Sequence, residues 1–365
     1  DFWDWLGTCR SVSGASGSKP ASEWPGDAAV FWSFDCWSFG WPNCDAPSGL
    51  AWKPYKTANI VEGLMMDIDF DAPLDYLPRI KSYYVGLGYG KPYEWAKLDD
   101  VPFANLQKPL STARIGIVTT ASLFNPENGE QGPGAPYNGK AKFFTSYAQP
   151  VAPFPDVRVA HIAIDRAHTT ASDVASYFPL AALLRLADAG YIGSVSPNFY
   201  GLPTNRSQRV TTQTDCPKLL SLCQVDAVDA VVMVPNCPVC HQSMALAAAH
   251  LEAAGIATVI MGCARDIIAY VGAPRLLFND LPLGNGAGLP HEKPSQDLAA
   301  KLAVDLLVDA TAPRTIKQSP LQWAGAADWK KDYSNIALLS DAEIARLRAE
   351  FDAVKKDAAK LKNAL

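Results

Sequence analysis

An α/β architecture with a doubly wound, mostly parallel sheet is predicted by the texture of residues 109–312. Short unbroken apolar runs alternate there with helical stretches, several of them closed by a glycine. Apolar runs without polar alternation are what strands covered on both faces require, and regular strand-helix alternation implies parallel pairing. A chain of 365 residues is also long enough to bury a full core.

The elements follow in order. "ARIGIVTTA" reads as the first strand, and the glycine- and proline-rich "FNPENGEQGPGAPYNG" after it as a loop long enough to be functional. "VRVAHIAID" reads as a second strand, ending at Asp165, Arg166 and His168. An amphipathic helix is predicted over "FPLAALLRLADAG", with Gly190 as its stop. "DAVVMVP", "IATVIMG" and "RLLFND" are further strands, and the alanine-rich "SMALAAAHLEAAG" is the helix between the first two of these. After the loop "LPLGNGAGLPHEKPS", a helix over "SQDLAAKLAVDLLVDA" places Leu298, Leu302 and Leu306 on one face.

Two flanks differ in texture. Residues 1–108 read as irregular, with seven tryptophans in the first 52 positions and no sustained period, which suits a lid or a subunit contact. "DIDFD" sets Asp67, Asp69 and Asp71 on one side of an extended segment, as a solvated edge or a cation site. Residues 313–365 form a C-terminal extension whose charged helix opens with a capping box, Ser340 and Glu343. That helix suits an exposed or dimer-bracing role, so a homo-oligomer is one expectation.

Composition narrows the partners. A net charge of -5 gives no footprint for nucleic acid, and no apolar run approaches the length of a membrane span, so a small-molecule substrate is expected. The chain starts at Asp1 rather than methionine, which leaves room for a removed leader. Eight cysteines in so long a chain do not make a disulfide scaffold, and a cytoplasmic location is expected. Cys9, Cys216 and Cys223 read as buried or idle thiols, while Cys36 and Cys44 bracket "CWSFGWPNC" as free thiols, a loop disulfide or a redox pair.

The chemistry concentrates in "VVMVPNCPVCHQSMA", where Cys237, Cys240 and His241 occupy a strand-to-helix turn. Ligands of an open parallel sheet bind beyond the carboxyl ends of its strands, and a helix N-terminus favours a thiolate there. Cys-x-x-Cys-His is also the attachment pattern of c-type haem, but a sheet covered on both faces leaves little room for a porphyrin.

The ordered set "ARIGIVTT", "FPLAALLRLADAGYIGSVSPNFY", the strand into Cys-x-x-Cys, and "AGIATVIMGCARDIIAYVGAPRLLFNDLPLGNG" resembles component B of the glycine, sarcosine and betaine reductases and the related D-proline reductase subunit. The resemblance spans roughly residues 109–290. It implies the pattern selenocysteine-x-x-Cys-x-x-Cys, with Cys237 and Cys240 at the two cysteines, Cys263 at a further family cysteine, and Val234 at the selenocysteine position. Valine is no nucleophile, and nothing in the chain supplies the pyruvoyl group by which the family activates amino acids. The resemblance thus implies a homologue without the selenium step.

Three functions remain open from the sequence. The first is a thiol-dependent reductase or lyase that cleaves a carbon-heteroatom bond of a small polar molecule, with Cys237 or Cys240 as nucleophile, Cys237 being preferred as the more exposed residue ahead of the helix, and the other as resolving thiol. In it Cys263 lies on the same rim, His241 and His168 are candidate proton donors, Arg166 and Asp165 bind substrate, and a dithiol reductant of thioredoxin-like type resets the pair. The second is a soft-metal site, zinc or similar, formed by Cys237, Cys240 and Cys263, alone or completed by a histidine. The third is a non-catalytic subunit of a reductase complex. Arg275 reads as structural in all three.

Overall fold

The computed structural model describes residues 71–132 and 137–364. The tryptophan-rich stretch lies outside the described residues, and with it the lid expected there, Cys9, Cys36, Cys44, Asp67 and Asp69. Asp71 is exposed.

Ten strands are described: β1 (Arg114–Thr119), β2 (Ser122–Leu123), β3 (Tyr147–Pro150), β4 (Val157–Arg158), β5 (Ser194–Val195), β6 (Asn198–Gly201), β7 (Ala230–Val234), β8 (Ala257–Gly262), β9 (Arg275–Phe278) and β10 (Thr315–Gln318). The longer helices are α1 (Tyr76–Gly86), α2 (Leu180–Asp188), α3 (Cys216–Val225), α4 (Pro238–Ala253), α5 (Arg265–Val271), α6 (Lys293–Asp309) and α7 (Asp341–Ala364). The main sheet runs β10-β9-β8-β7-β1-β6-β3, with β5 also on β1. Every pairing in it is parallel except that of the edge strand β3 with β6. Apolar runs made this sheet. Each residue of β7, β8 and β9 is buried, as strands covered on both faces demand.

Helices flank the sheet in two groups. The first is the succession α3, α4 and α5, and the second is α2 packed on α6. Almost every residue of α4 is buried, polar His241, Gln242 and Ser243 included. Such a helix is an internal part rather than a surface one, and its alanines allow close approach to β8.

Strand order also locates a crevice. The chain steps from β1 outward to β6, then returns past β1 to β7 and continues to β8, β9 and β10. Between β1 and β7 the winding reverses, and that is where a doubly wound sheet opens beyond its strand ends. Thr119 pairs with Val234 on one side and Gly201 on the other, so three strands end together at this point.

Several sequence expectations need correction. Residues 71–108 are not wholly irregular, because α1 forms within them. Its own Asp75 makes no side-chain cap. Asp266 of α5 caps it instead, accepting from Leu77 N at 2.7 Å. The rest of that stretch is an extended strap whose backbone is held by distant groups: Ala96 N donates to Gln242 Oε1 (2.7 Å) and Leu98 N to Val271 O (2.8 Å). "VRVAHIAID" yields only the two residues of β4, antiparallel to β2. Beyond them Asp165 N donates to Leu283 O at 2.9 Å and Arg166 binds preceding carbonyls, so the backbone turns away from any ladder. Past residue 312, β10 still belongs to the sheet. The capping box forms as predicted: Ser340 N donates to Glu343 Oε2 (2.9 Å) and Glu343 N to Ser340 Oγ (3.4 Å).

Candidate functional site

Cys237 is the N-cap of α4, three residues beyond β7 at the reversal of winding. Its backbone is extended (φ -142°, ψ 168°), Pro238 starts the helix, and Cys240 N donates to Cys237 Sγ at 3.3 Å. Proline suits the first helical position, where its missing N–H removes a donor that would have no partner anyway. The local sequence thus aims the N-terminus of a 16-residue helix at one sulfur. Cys237 and Cys240 are joined as a disulfide. Cys237 is 6% exposed and Cys240 fully buried, so the former is the more accessible, as expected.

The floor is built from β1 and β7. Thr120 Oγ1 accepts from Asn236 N (3.1 Å) and Asn236 Nδ2 (3.2 Å), stitching the two strand ends under the cysteines, while Asn236 Oδ1 is buried without a partner among the described residues. Across from the pair stands Thr204, whose hydroxyl lies 3.2 Å from Cys240 Sγ and 3.5 Å from His161 Nε2. A ring nitrogen of His161 and the two sulfurs all lie within 4.8 Å of one another. Burial pushes the His161 imidazole down to about 3, aided by the charges of Lys142 and Arg166, and among the described residues its Nδ1 has no hydrogen-bond partner. One ring nitrogen of this imidazole thus stands near both sulfurs, with Thr204 beside its Nε2.

His241 is placed otherwise than a proton donor would need. Its Nδ1 donates to Cys237 O at 2.8 Å, and Nε2 accepts from both Cys263 N and Ala264 N at 3.1 Å. The ring ties the β7-α4 turn to the β8-α5 turn with both nitrogens occupied. Burial pushes it down to about 4, against the Cys237 carbonyl, which raises it.

Cys263 is not brought into the group. His241 holds its backbone, while the N–H groups of Asn285, Gly284 and Leu281 face its sulfur. Burial pushes that thiol up to about 12. The expected trio of Cys237, Cys240 and Cys263 is thus corrected: among the described residues the donor-type atom grouped with the two sulfurs is a ring nitrogen of His161. Cys216 and Cys223 are buried thiols pushed up to about 12 by desolvation, as idle thiols should be.

Asp165 and His168 form a bonded pair close by in sequence, with Arg166 between them turned to other partners. His168 Nδ1 lies 3.0 Å from the buried Asp165 carboxylate, and its Nε2 is 3.7 Å from Asp332. Burial raises the Asp165 carboxyl, and hydrogen bonds from His168 oppose this. Arg166 donates to the carbonyls of Ile162 (Nη1, 3.1 Å) and His161 (Nη2, 2.6 Å). It braces the backbone that carries His161. Arg275 is structural, paired with Glu252 at 2.7 Å with both side chains fully buried.

His161 and Thr204 were missed by sequence reasoning. The one available signal was a histidine four residues ahead of Asp165, in a segment assigned to a strand. Two surface depressions of about 350 and 640 Å³ lie elsewhere, beside Tyr191 and Leu307 and beside Arg79 and Lys330. Neither hollow is lined by Cys237, Cys240 or His161.

No protein-family model and no solved structure matches the chain. Among curated proteins it is similar to the D-proline reductase subunit gamma of Acetoanaerobium sticklandii, 24% identical over 169 residues, which is 46% of this chain and 69% of the relative.

Proposed function

We propose that the chain is the thiol-bearing component of a reductase that cleaves a carbon-heteroatom bond, with Cys237 and Cys240 cycling between dithiol and disulfide. The bonded pair at the N-terminus of α4 carries the reading, and similarity to a D-proline reductase subunit supports the reaction class. The Cys240 N–H and the helix dipole favour negative charge on Cys237 Sγ.

The cycle balances as follows. Cys237 thiolate attacks a carbon next to an electron-withdrawing group, forming C–S and expelling the heteroatom, which leaves with its electron pair and takes a proton. Cys240 thiolate then attacks the Cys237 sulfur, forming S–S as C–S breaks, and the carbon keeps the electron pair and takes a second proton. Two thiols are oxidised and one substrate bond is reduced. An external dithiol restores the pair by exchange and is itself oxidised to a disulfide.

In this cycle His241 and Arg166 are positioning residues, since their polar atoms hold backbone around the pair. Thiol counting by alkylation and mass spectrometry tests the core of the reading. Treatment with a small dithiol should release two thiols, lost again in the Cys237→Ser and Cys240→Ser variants. A count that does not change under strong reductant would leave a structural bridge and sink the cycle.

A further inference from the structure

We infer that the reduced pair, together with His161, is a soft divalent-metal site of zinc type that closes when the disulfide opens and is emptied when it re-forms. This inference rests on the proposed dithiol-disulfide cycle and adds to it a ligand, a third coordinating residue and a mode of control.

The donor set carries the argument. Two cysteine sulfurs and a histidine ring nitrogen already lie within 4.8 Å of one another. A tetrahedral zinc ion with bonds of about 2.3 Å to sulfur and 2.0–2.1 Å to nitrogen holds such atoms roughly 3.5–3.8 Å apart. Small side-chain rotations after reduction bring them into range. Among the described residues His161 Nδ1 is buried with no hydrogen-bond partner, a costly arrangement, and one ring nitrogen stands within 4.8 Å of both sulfurs, so an ion there would give the ring a polar partner. Its backbone is fixed by Arg166, which donates to the carbonyls of His161 and Ile162, so the ring is presented rather than loose. Cys240 N donates to Cys237 Sγ, a contact that persists on a metal-bound thiolate.

Charge gives the same answer. Two thiolates cancel the double positive charge of the ion, which burial requires. Three protein ligands leave a fourth position open, the arrangement of a catalytic rather than a structural zinc site, and Thr204 Oγ1 stands beside two of the donors.

Loading and release balance. The reduced pair takes up M²⁺ and gives up two protons. A small disulfide oxidant then converts the two bound thiolates to the Cys237–Cys240 bond, is itself reduced to two thiols with uptake of two protons, and frees M²⁺. Metal binding therefore competes with the redox cycle for the same sulfurs.

The test uses the full chain, reduced anaerobically with a phosphine, freed of reductant and titrated with Zn²⁺ against a chromophoric chelator, then with Co²⁺ for its thiolate charge-transfer absorption. About one equivalent should bind tightly to the reduced chain and none to the disulfide form. His161→Ala should weaken binding more than about 100-fold, beyond the 10–100-fold expected of a residue that only orients a ligand, while still releasing two thiols on reduction. Cys263→Ala should keep the stoichiometry. Reduced protein that gains two thiols but takes up no metal overturns the inference alone, as does undiminished binding by His161→Ala or its loss in Cys263→Ala. A chain that gains no thiols overturns the underlying cycle as well.

Discussion

Replacing His241 by leucine should cost stability in a pH-dependent way that its geometry sets. The ring is fully buried, donates to Cys237 O, and is the acceptor for Cys263 N and Ala264 N. Leucine has similar bulk and helical preference but no ring nitrogen, so two buried N–H groups lose their acceptor. At about 1–3 kcal/mol for each orphaned group, the variant should be less stable by roughly 2–6 kcal/mol at pH 8.

The penalty should then shrink in acid. Burial holds His241 at about 4 in the folded chain against an ordinary 6.5. Between those values the unfolded chain binds a proton that the folded chain refuses, so stability falls as pH falls. The contribution is whole above about pH 6.5 and is progressively lost toward pH 4. At pH 5 the wild type should have lost about 2 kcal/mol through this residue relative to pH 8, a loss His241→Leu does not suffer. His161 is lowered in the same direction, so only the difference between the two proteins isolates His241. Urea unfolding of both at pH 5 and pH 8, with m-values checked for equality, reads that difference. Equal pH dependence in wild type and variant would refute the assignment of a neutral, backbone-bonded ring.

Two further predictions concern the frame around the site. Glu252→Gln strands Arg275, whose guanidinium is buried against Glu252 and lies 4.0 Å from the Phe103 ring centroid; breaking such a pair should cost about 3–5 kcal/mol in urea unfolding, and a loss below about 1 kcal/mol would contradict it. Ser340→Ala removes one half of the capping box on α7 and should cost about 0.5–2 kcal/mol, seen as faster amide exchange in residues 341–344, with unchanged exchange there refuting the cap.

The sheet was legible because its signal is local. β1, β7, β8 and β9 announce themselves as unbroken apolar runs, and the position of Cys237 beyond β7 follows from them. What escaped was decided by partners far along the chain. α1 takes its cap from Asp266, some 190 positions away, while the apolar "VRVAHIAID" lost its strand beyond Arg158 to bonds with Leu283 and Arg166. His161 escaped for the same reason. Its segment resembled a strand, and a strand reading says nothing about a ring turned toward Thr204 and the cysteines. Conversely, Cys263 was expected at the pair because β8 neighbours β7. Neighbouring strand ends share a rim, but they do not fix which way the next side chain points.

Val234 bears on why the proposed chemistry is assigned to the pair and not to the strand end. It is the last residue of β7, fully buried, and its Cγ1 lies 3.4 Å from where a Cβ on Gly286 would stand. That same Cβ would come 2.9 Å from Met261 O, so the loop can lie this close only because residue 286 is glycine. The loop after β9 therefore presses on two positions at once, Val234 and the Cys263 sulfur, which its backbone N–H groups at 281, 284 and 285 face. With valine at 234 that side is an apolar contact and a thiol pushed up to about 12, neither of which supplies a thiolate near neutral pH. Three residues later the chain has left the strand, reached a helix N-terminus and met His161 and Thr204. The bonded pair thus lies just beyond the sheet, at a helix N-terminus that favours charge on Cys237 Sγ, with a ring nitrogen of His161 close by.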